Sequence, residues 1–225
     1  IDFSSGTKAE SVKNKWIECL QIVSPTINWA DREMPHEFDG KACTSIRTNA
    51  YCAALGRWME KLIGSGAQNK HLPPNYLALP DEFRMGLFCG LMDTDGTCCW
   101  NVNNRFTLAY TTISKQLCDD VCVLALSLGI VPSVGTYENR DKPAYCVTFS
   151  VRTVQNARWL KFFCDYKQEA LERLFNSPNK EYGPADIVPY PEKVKEELKM
   201  HLRNNGAFAK GGKEKVKPVA SMYTV

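Results

Sequence analysis

The run Pro80-Asp-Glu-Phe-Arg-Met-Gly-Leu-Phe-Cys-Gly-Leu-Met-Asp-Thr-Asp-Gly96 constrains the fold more than any other stretch of the chain. It predicts a helix opened by Pro80, with Asp81 and Glu82 in the first turn, where the helix dipole favours negative charge. Gly86 and Gly90 are four residues apart and share one face. Leu87, Phe88, Leu91 and Met92 provide core bulk. The helix ends in Asp93-Thr-Asp95 and Gly96. A buried apolar helix that presents a carboxylate at its tip suits a metal site held on a rigid scaffold.

The rest of the composition is that of an ordinary globular protein. The 225 residues are 44% hydrophobic and 24% charged, enough for one large domain or two small ones. No apolar run is long enough to span a membrane, and Ile1-Asp-Phe-Ser-Ser-Gly lacks the basic and apolar regions of a secretory signal. The net charge of +3 permits nucleic-acid binding without arguing for it. The ten cysteines form no Cys-x-x-Cys pair, and the three histidines, His36, His71 and His201, lie far from any thiol pair in sequence. This argues against structural zinc and for small core residues in a reducing compartment.

Hydrophobic periodicity predicts helices over about 8–22, 50–63, 114–128, 154–163 and 167–175 besides the run at 80–94. Strands are expected at 26–30, 42–47, 98–102, 105–112, 130–137 and 144–151, with Pro35 and Asp39-Gly40 in a polar connector and Asn103-Asn104 in a hairpin turn. A Pro-rich linker over 176–191, an amphipathic helix over 191–203 and a basic tail complete the chain. The chain also repeats itself. Arg47-Thr48 aligns with Arg152-Thr153 at an offset of 105, Trp58 with Trp159 at 101, and Ser11 with Ser114 at 103. Both copies read helix, strand, strand, helix, as two units related by a pseudo-two-fold would. The same offset carried back from Asp95 lands before Ile1. A first copy of the acidic helix is therefore expected upstream, with Ile1-Asp-Phe as the strand after it.

Two stretches carry a resemblance: Lys70-His-Leu-Pro-Pro-Asn-Tyr-Leu77 running on to Phe88-Cys-Gly-Leu-Met-Asp-Thr-Asp-Gly96, and Thr111-Thr-Ile-Ser-Lys-Gln-Leu117 running on to Ser127-Leu-Gly-Ile130. Over about residues 1–176 the chain resembles the LAGLIDADG homing endonucleases, in particular those found within inteins. Competing motifs fail. A calcium loop opening at Asp93 would need glutamate where Asn104 stands, and the chain has no phosphate-binding loop or nucleophile elbow.

The resemblance implies an α+β fold of two pseudo-symmetric αββαββα halves with saddle-shaped antiparallel sheets, the first half lacking its motif helix. The halves fall at 1–78 and 79–176. Residues 177–225 hold a linker, a helix and, in Lys217–Val225, the possible start of a returning splicing-domain strand. The family role makes Asp95 a ligand of Mg2+ or another divalent cation, shared with the acid of the other motif. Lys70 and Lys167 then polarise water or neutralise phosphate, and Gly86 and Gly90 line the interface between motif helices. Asp93 is expected to cap or pack. DNA would be read in the major groove by the strand ribbons. The candidates are Asn28, Arg32, Lys41, Thr44 and Arg47 in the first half, and Trp100, Asn101, Asn103, Arg105, Thr107, Tyr137, Asn139, Arg140 and Lys142 in the second.

The expected activity is site-specific cleavage of double-stranded DNA by metal-dependent phosphodiester hydrolysis, from an enzyme inserted in an intein. The alternative is an RNA-splicing maturase or non-cleaving DNA-binding module of the same fold. The expected partners are double-stranded DNA and splicing-domain segments of the same precursor. The protein is expected to be a monomer, in the cytoplasm or wherever the host DNA lies. No counterpart of the splicing nucleophile block or of the closing His-Asn is seen, so splicing by these residues alone is not expected.

Overall fold

A computed structural model describes residues 1–6, 10–38, 40–139 and 142–178. Arg140, Asp39, the helix expected at 191–203 and the tail strand expected at Lys217–Val225 lie outside the described residues. In chain order the elements are β1 (Asp2–Gly6), α1 (Glu10–Val23), β2 (Asn28–Phe38), β3 (Lys41–Tyr51) and α2 (Ala53–Ile63). A single 3-10 turn at Tyr76–Ala78 leads into α3 (Asp81–Thr94). Then follow β4 (Gly96–Trp100), β5 (Phe106–Thr112), α4 (Lys115–Ser127), β6 (Pro132–Asn139), β7 (Lys142–Phe149), α5 (Val151–Asn156) and α6 (Asp165–Phe175).

The strands form two antiparallel sheets, one ordered β1-β3-β2 and the other β4-β5-β7-β6. Residues 81–175 therefore read α-β-β-α-β-β-α-α. Residues 2–63 read β-α-β-β-α, the same order entered at its second strand. The registers agree with this. The pair Gly6↔Ser45 and the pair Ala109↔Thr148 are displaced by 103 residues. Asp31↔Thr48 and Pro132↔Phe149 are displaced by 101. This corrects two expectations. β1 takes the place of β5 rather than of the strand directly after the motif helix. The equivalence of Arg47-Thr48 with Arg152-Thr153 fails, because the first pair lies in β3 and the second in α5.

The connector expected around Pro35 is also strand. β2 runs through Pro35, which pairs with Thr44. β2 is an edge strand, where a residue without an N–H breaks no ladder. The helix expected at 154–163 stops at Asn156. The following residues form turns that reach α3, as described below.

The packed core lies in the second half. Phe88 and Met92 of α3 are fully buried among Val121 and Leu124 of α4, Ile130, Val147, Val154, Leu171 and Leu174. Phe88 meets Phe149 and Trp159 edge-on, with ring centroids 5.2 and 6.1 Å apart. At roughly 1.5–3 kcal/mol per large apolar side chain, this cluster dominates the stability of the chain. The first half has little to match it. Among the described residues before Gly64, Val12, Ile27 and Ala50 are the buried apolar ones, while Ile22, Val23, Trp29, Tyr51 and Trp58 remain exposed. Lys13 on α1 bonds Asp31 at 2.9 Å, and Phe3 stacks on Trp16. Phe3, Asp31 and Thr48 therefore line the helix-covered face of the first sheet.

Candidate active site

α3 delivers its acids to the point where helix turns into strand. Asp95 caps α3 with φ −101° and ψ −3°, and β4 begins at the next residue. No left-handed residue stands between them. At Gly96 a Cβ would lie 2.6 Å from both the Cα and the O of Met92, so only glycine fits the corner. The Asp95 carboxylate is exposed, and its main-chain N–H donates to Leu91 O at 3.1 Å. Tyr110, paired with Gly96 across the sheet, is buried. Burial first, and then the nearby Asp95 charge, holds its phenol proton above the usual tyrosine range.

The neighbouring acid faces inward. Asp93 is buried, and its carboxylate accepts the backbone N–H of Phe163 at 3.0–3.1 Å and of Cys164 at 3.1 Å. Burial raises its proton affinity, and the two amide bonds and the Lys167 charge act in the opposite sense. Its role is to bind backbone, as a capping residue does.

Lys167 is 2% exposed. Its Nζ donates to Met92 O and Asp93 O, each at 2.7 Å. Burial lowers its pKa, with the charges of Cys164 and Asp93 opposing. It is thus close to the acids, as the sequence led us to expect, but its ammonium points at helix carbonyls and away from solvent. Lys70 is exposed, and its main-chain O accepts from Ser114 Oγ at 2.6 Å. Ser114 also caps α4 by accepting the Leu117 N–H at 3.1 Å. The serine announced itself in the sequence as a helix start, but its long-range bond did not.

Gly86 and Gly90 are exposed. A Cβ on either meets nothing within 4 Å among the described residues. The small-residue face of α3 is therefore open, with Phe83 beside it 46% exposed.

Strand alternation sorts the candidate DNA readers. In the first sheet Asp31 and Thr48 face the helices, so Arg32 and Arg47, which pair directly, face the other way. Arg47 also lies 3.6 Å from Asp2. Asn28 shares this outer face, and Thr44 does not. In the second sheet Cys98, Phe106, Leu108 and Tyr110 are buried. This puts Thr107 on the outer face, with Tyr137 reaching the same face through its pairing with Ala144. Trp100 is a correction. Its indole N–H donates to Ala170 O at 2.9 Å and the Arg173 guanidinium stacks on it at 4.4 Å, so it is tied to α6. Asn101 is another. Its Oδ1 accepts the N–H groups of Asn103 and Arg105, both at 3.0 Å, and so forms the hairpin tip. Asn103 and Arg105 are exposed on that tip. Of Lys41, Asn139 and Lys142 only the backbone is described.

Residues 82–166 match the family model of the LAGLIDADG-like domain. The match makes this segment similar to that domain. It begins in the first turn of α3 and ends at the start of α6, so α3 with Asp95, both hairpins of the second sheet and the Asp93 contacts all lie within it. Three curated relatives share part of the chain. An iron-sulfur cluster assembly SufBD family protein of Mycobacterium leprae is 33% identical over 94 residues, 41% of this chain and 10% of the relative. The ATP-dependent DNA helicase Hel308 of Thermococcus kodakarensis is 34% identical over 91 residues, 39% of this chain and 8% of the helicase. The replicative DNA helicase DnaB of Mycobacterium intracellulare is 34% identical over 87 residues, 36% of this chain and 14% of the helicase. The chain thus spans about a tenth of the length of the relatives it matches. Among solved structures, variants of the homing endonuclease I-DmoI align over 71% of this chain and 78% of theirs, with a TM-score of 0.46 and 11% identity. A complex of I-DmoI with DNA and calcium aligns over 77% and 82%, with a TM-score of 0.47 and 11% identity.

A divalent cation of the magnesium kind asks for hard oxygen ligands. Asp95 offers one exposed carboxylate at the negative end of a helix dipole, where a cation is favoured. The described residues hold no group of three His, Cys, Asp or Glu side chains placed around one point. At this corner the described residues thus offer the exposed Asp95 carboxylate, a donor of the kind such a cation takes, and no ready-made cage.

Proposed function

We propose that this chain belongs to a site-specific endonuclease that cleaves double-stranded DNA, and that Asp95 holds one side of a divalent cation at the scissile phosphate. The observation that carries the reading is α3 itself. Within a LAGLIDADG-like domain it presents an exposed carboxylate at its end and an open two-glycine face along its length. A second helix of the same kind can approach that face closely and bring a second acid beside Asp95. The cation, when bound, would lower the pKa of a water or stabilise the leaving oxygen. This chain's own residues would hold it through Asp95, at a corner fixed by Gly96 and backed by the buried Tyr110 and Met92. Exposed Lys70, in the loop before α3, would be the residue to meet phosphate.

DNA would lie against the outer sheet faces. Arg32 and Arg47 sit side by side there, like charges that Asp2 offsets in part and a phosphate would offset further. Binding through such contacts weakens steeply with salt. The relatives support a mobile origin. Their names share no single activity, yet each matches a stretch of 87–94 residues within a much longer chain. A segment common to unrelated proteins is a module that moves between them, as an intein-borne nuclease does. No helix among the described residues is long and apolar enough to cross a membrane. The reading places the protein with the host's DNA.

The test is Asp95→Asn. The protein is incubated with Mg2+ and a plasmid library of random inserts, and cut and bound fractions are sequenced. The variant is expected to bind the sites that the native protein cuts and to leave them intact. Cutting at the native rate by the variant overturns the assignment. Because the described residues supply a single acid, a non-cleaving DNA-binding module is the second reading. Binding without cleavage by the native protein would favour it.

A further inference from the structure

We propose that Lys167 and Asp93 form a positioning clamp that sets the direction of the Asp95 carboxylate; the proposal rests on the metal-binding reading of Asp95. An α-helix leaves its last four carbonyls without partners, and chains commonly solve this with a left-handed glycine that turns the backbone away. α3 has no such residue, because β4 starts at Gly96 directly after Asp95. Leu91 O is satisfied by Asp95 N–H, and the next two carbonyls, of Met92 and Asp93, are both satisfied by the Lys167 ammonium at 2.7 Å. The side chain of Asp93 reaches the other way, to the backbone N–H groups of Phe163 and Cys164, just before α6. The two residues thus cross-link the end of α3 to the start of α6 in both directions.

The clamp also balances charge. Two carboxylates, Asp93 and Asp95, stand at the negative end of one helix, an arrangement that would otherwise push the turn apart. The buried ammonium and two backbone amides offset them. α6 is itself anchored across β4, through Trp100 Nε1 to Ala170 O at 2.9 Å and Cys98 Sγ to Lys167 O at 3.5 Å. Lys167 is therefore pinned from below, and Asp95 is held from behind by a residue that touches neither solvent nor substrate. Lys167 is a positioning residue and not a carrier of protons.

The test uses Mn2+ as probe. Its binding is read as broadening of the Asp95 and Gly96 amide signals in NMR spectra of the protein, beside the pH profile of DNA cleavage. Asp95→Asn is expected to abolish the selective broadening. Lys167→Met and Asp93→Asn are expected to raise the Mn2+ concentration for half-maximal broadening by roughly 10- to 100-fold, the usual cost of losing a group that orients a metal ligand. The shape of the pH profile is expected to stay that of the native protein. Circular dichroism establishes that each variant folds. If Lys167→Met does not fold, Asp93→Asn, which keeps the side-chain volume and one accepting oxygen, carries the test. Native Mn2+ binding in folded Lys167→Met or Asp93→Asn, or loss of one limb of the pH profile in Lys167→Met, overturns the clamp alone. Native broadening in Asp95→Asn overturns the metal reading and the clamp with it.

Discussion

Gly96→Ala tests how closely helix and strand meet at the site. The added Cβ would lie 2.6 Å from the Met92 Cα and O and 3.0 Å from its carbonyl carbon, where ordinary contact begins at 3.4 Å. Every atom it meets is backbone, so no side chain can swing aside. Either the last turn of α3 or the first residue of β4 must move by roughly 0.8 Å, the difference between the two distances. Overpacking of this kind costs about 1–3 kcal/mol. For a domain of this size each kcal/mol lowers the melting temperature by about 2–4 °C, so a fall of about 2–12 °C is expected. The residue that moves is bonded to Asp95, and a misplacement on the order of 1 Å at a reacting group can cost about 10²-fold in rate. Thermal unfolding by circular dichroism and single-turnover cleavage of the selected DNA site measure the two effects. A variant that melts within about 1 °C of the native protein refutes the steric reading. One that is destabilised yet cuts at the native rate refutes the link from the corner to Asp95.

Gly90→Ala should behave in the opposite way. Its Cβ meets nothing within 4 Å, and alanine favours a helix interior by about 0.5–1 kcal/mol over glycine. The urea midpoint of this chain should rise while cleavage falls, because a partner helix could no longer approach; unchanged cleavage would show that nothing packs on this face. Thiol chemistry tests the core. Burial pushes the Cys98 thiol up to about 12, and since the thiolate is the nucleophile and its population grows only as pH rises toward that value, Cys98 should stay unmodified by iodoacetamide at pH 8. Exposed Cys19 and Cys99 should react. Peptide masses report each site, and labelling of Cys98 as fast as Cys99 would contradict its burial.

The parts of this protein legible in sequence are those decided locally. α3 was readable because proline, acids and apolar spacing all act within one helix, and its ends fall where those signals lie. The repeat was legible in part, since the offsets of 101 and 103 recur between the paired strands, while the offset of 105 does not. The misreadings came from contacts distant in the chain. Pro35 suggested a loop, but it breaks no ladder on an edge strand. The helix expected beyond Asn156 gives way to turns because Asp93 needs the amides of Phe163 and Cys164, some 70 residues away. The resemblance gave Lys167 a role at the metal, yet a resemblance says nothing of whether an amine faces water or a carbonyl.

The exposed apolar surface of the first half and the single acid of the site are one shortfall. α5 of the second half buries Val154 in the same core cluster as Phe88 of α3 and Leu171 of α6. Its counterpart α2 is amphipathic, with Leu55, Met59, Leu62 and Ile63 along it, yet it has no fully buried residue, and Trp58 is 56% exposed. The difference lies in what covers each helix, because residues 2–63 contain no counterpart of α3 or β4 among the described residues. An amphipathic face left in water forfeits roughly 25 cal/mol for each Å2 it could bury, so a helix with the character of α3 would gain most by packing there. The same helix, pairing through glycines against Gly86 and Gly90, would bring its own terminal acid beside Asp95. On the proposed reading, completing the core of the first half and completing the metal site would be a single event, and conditions that detach such a helix should abolish cleavage and melt the first sheet together.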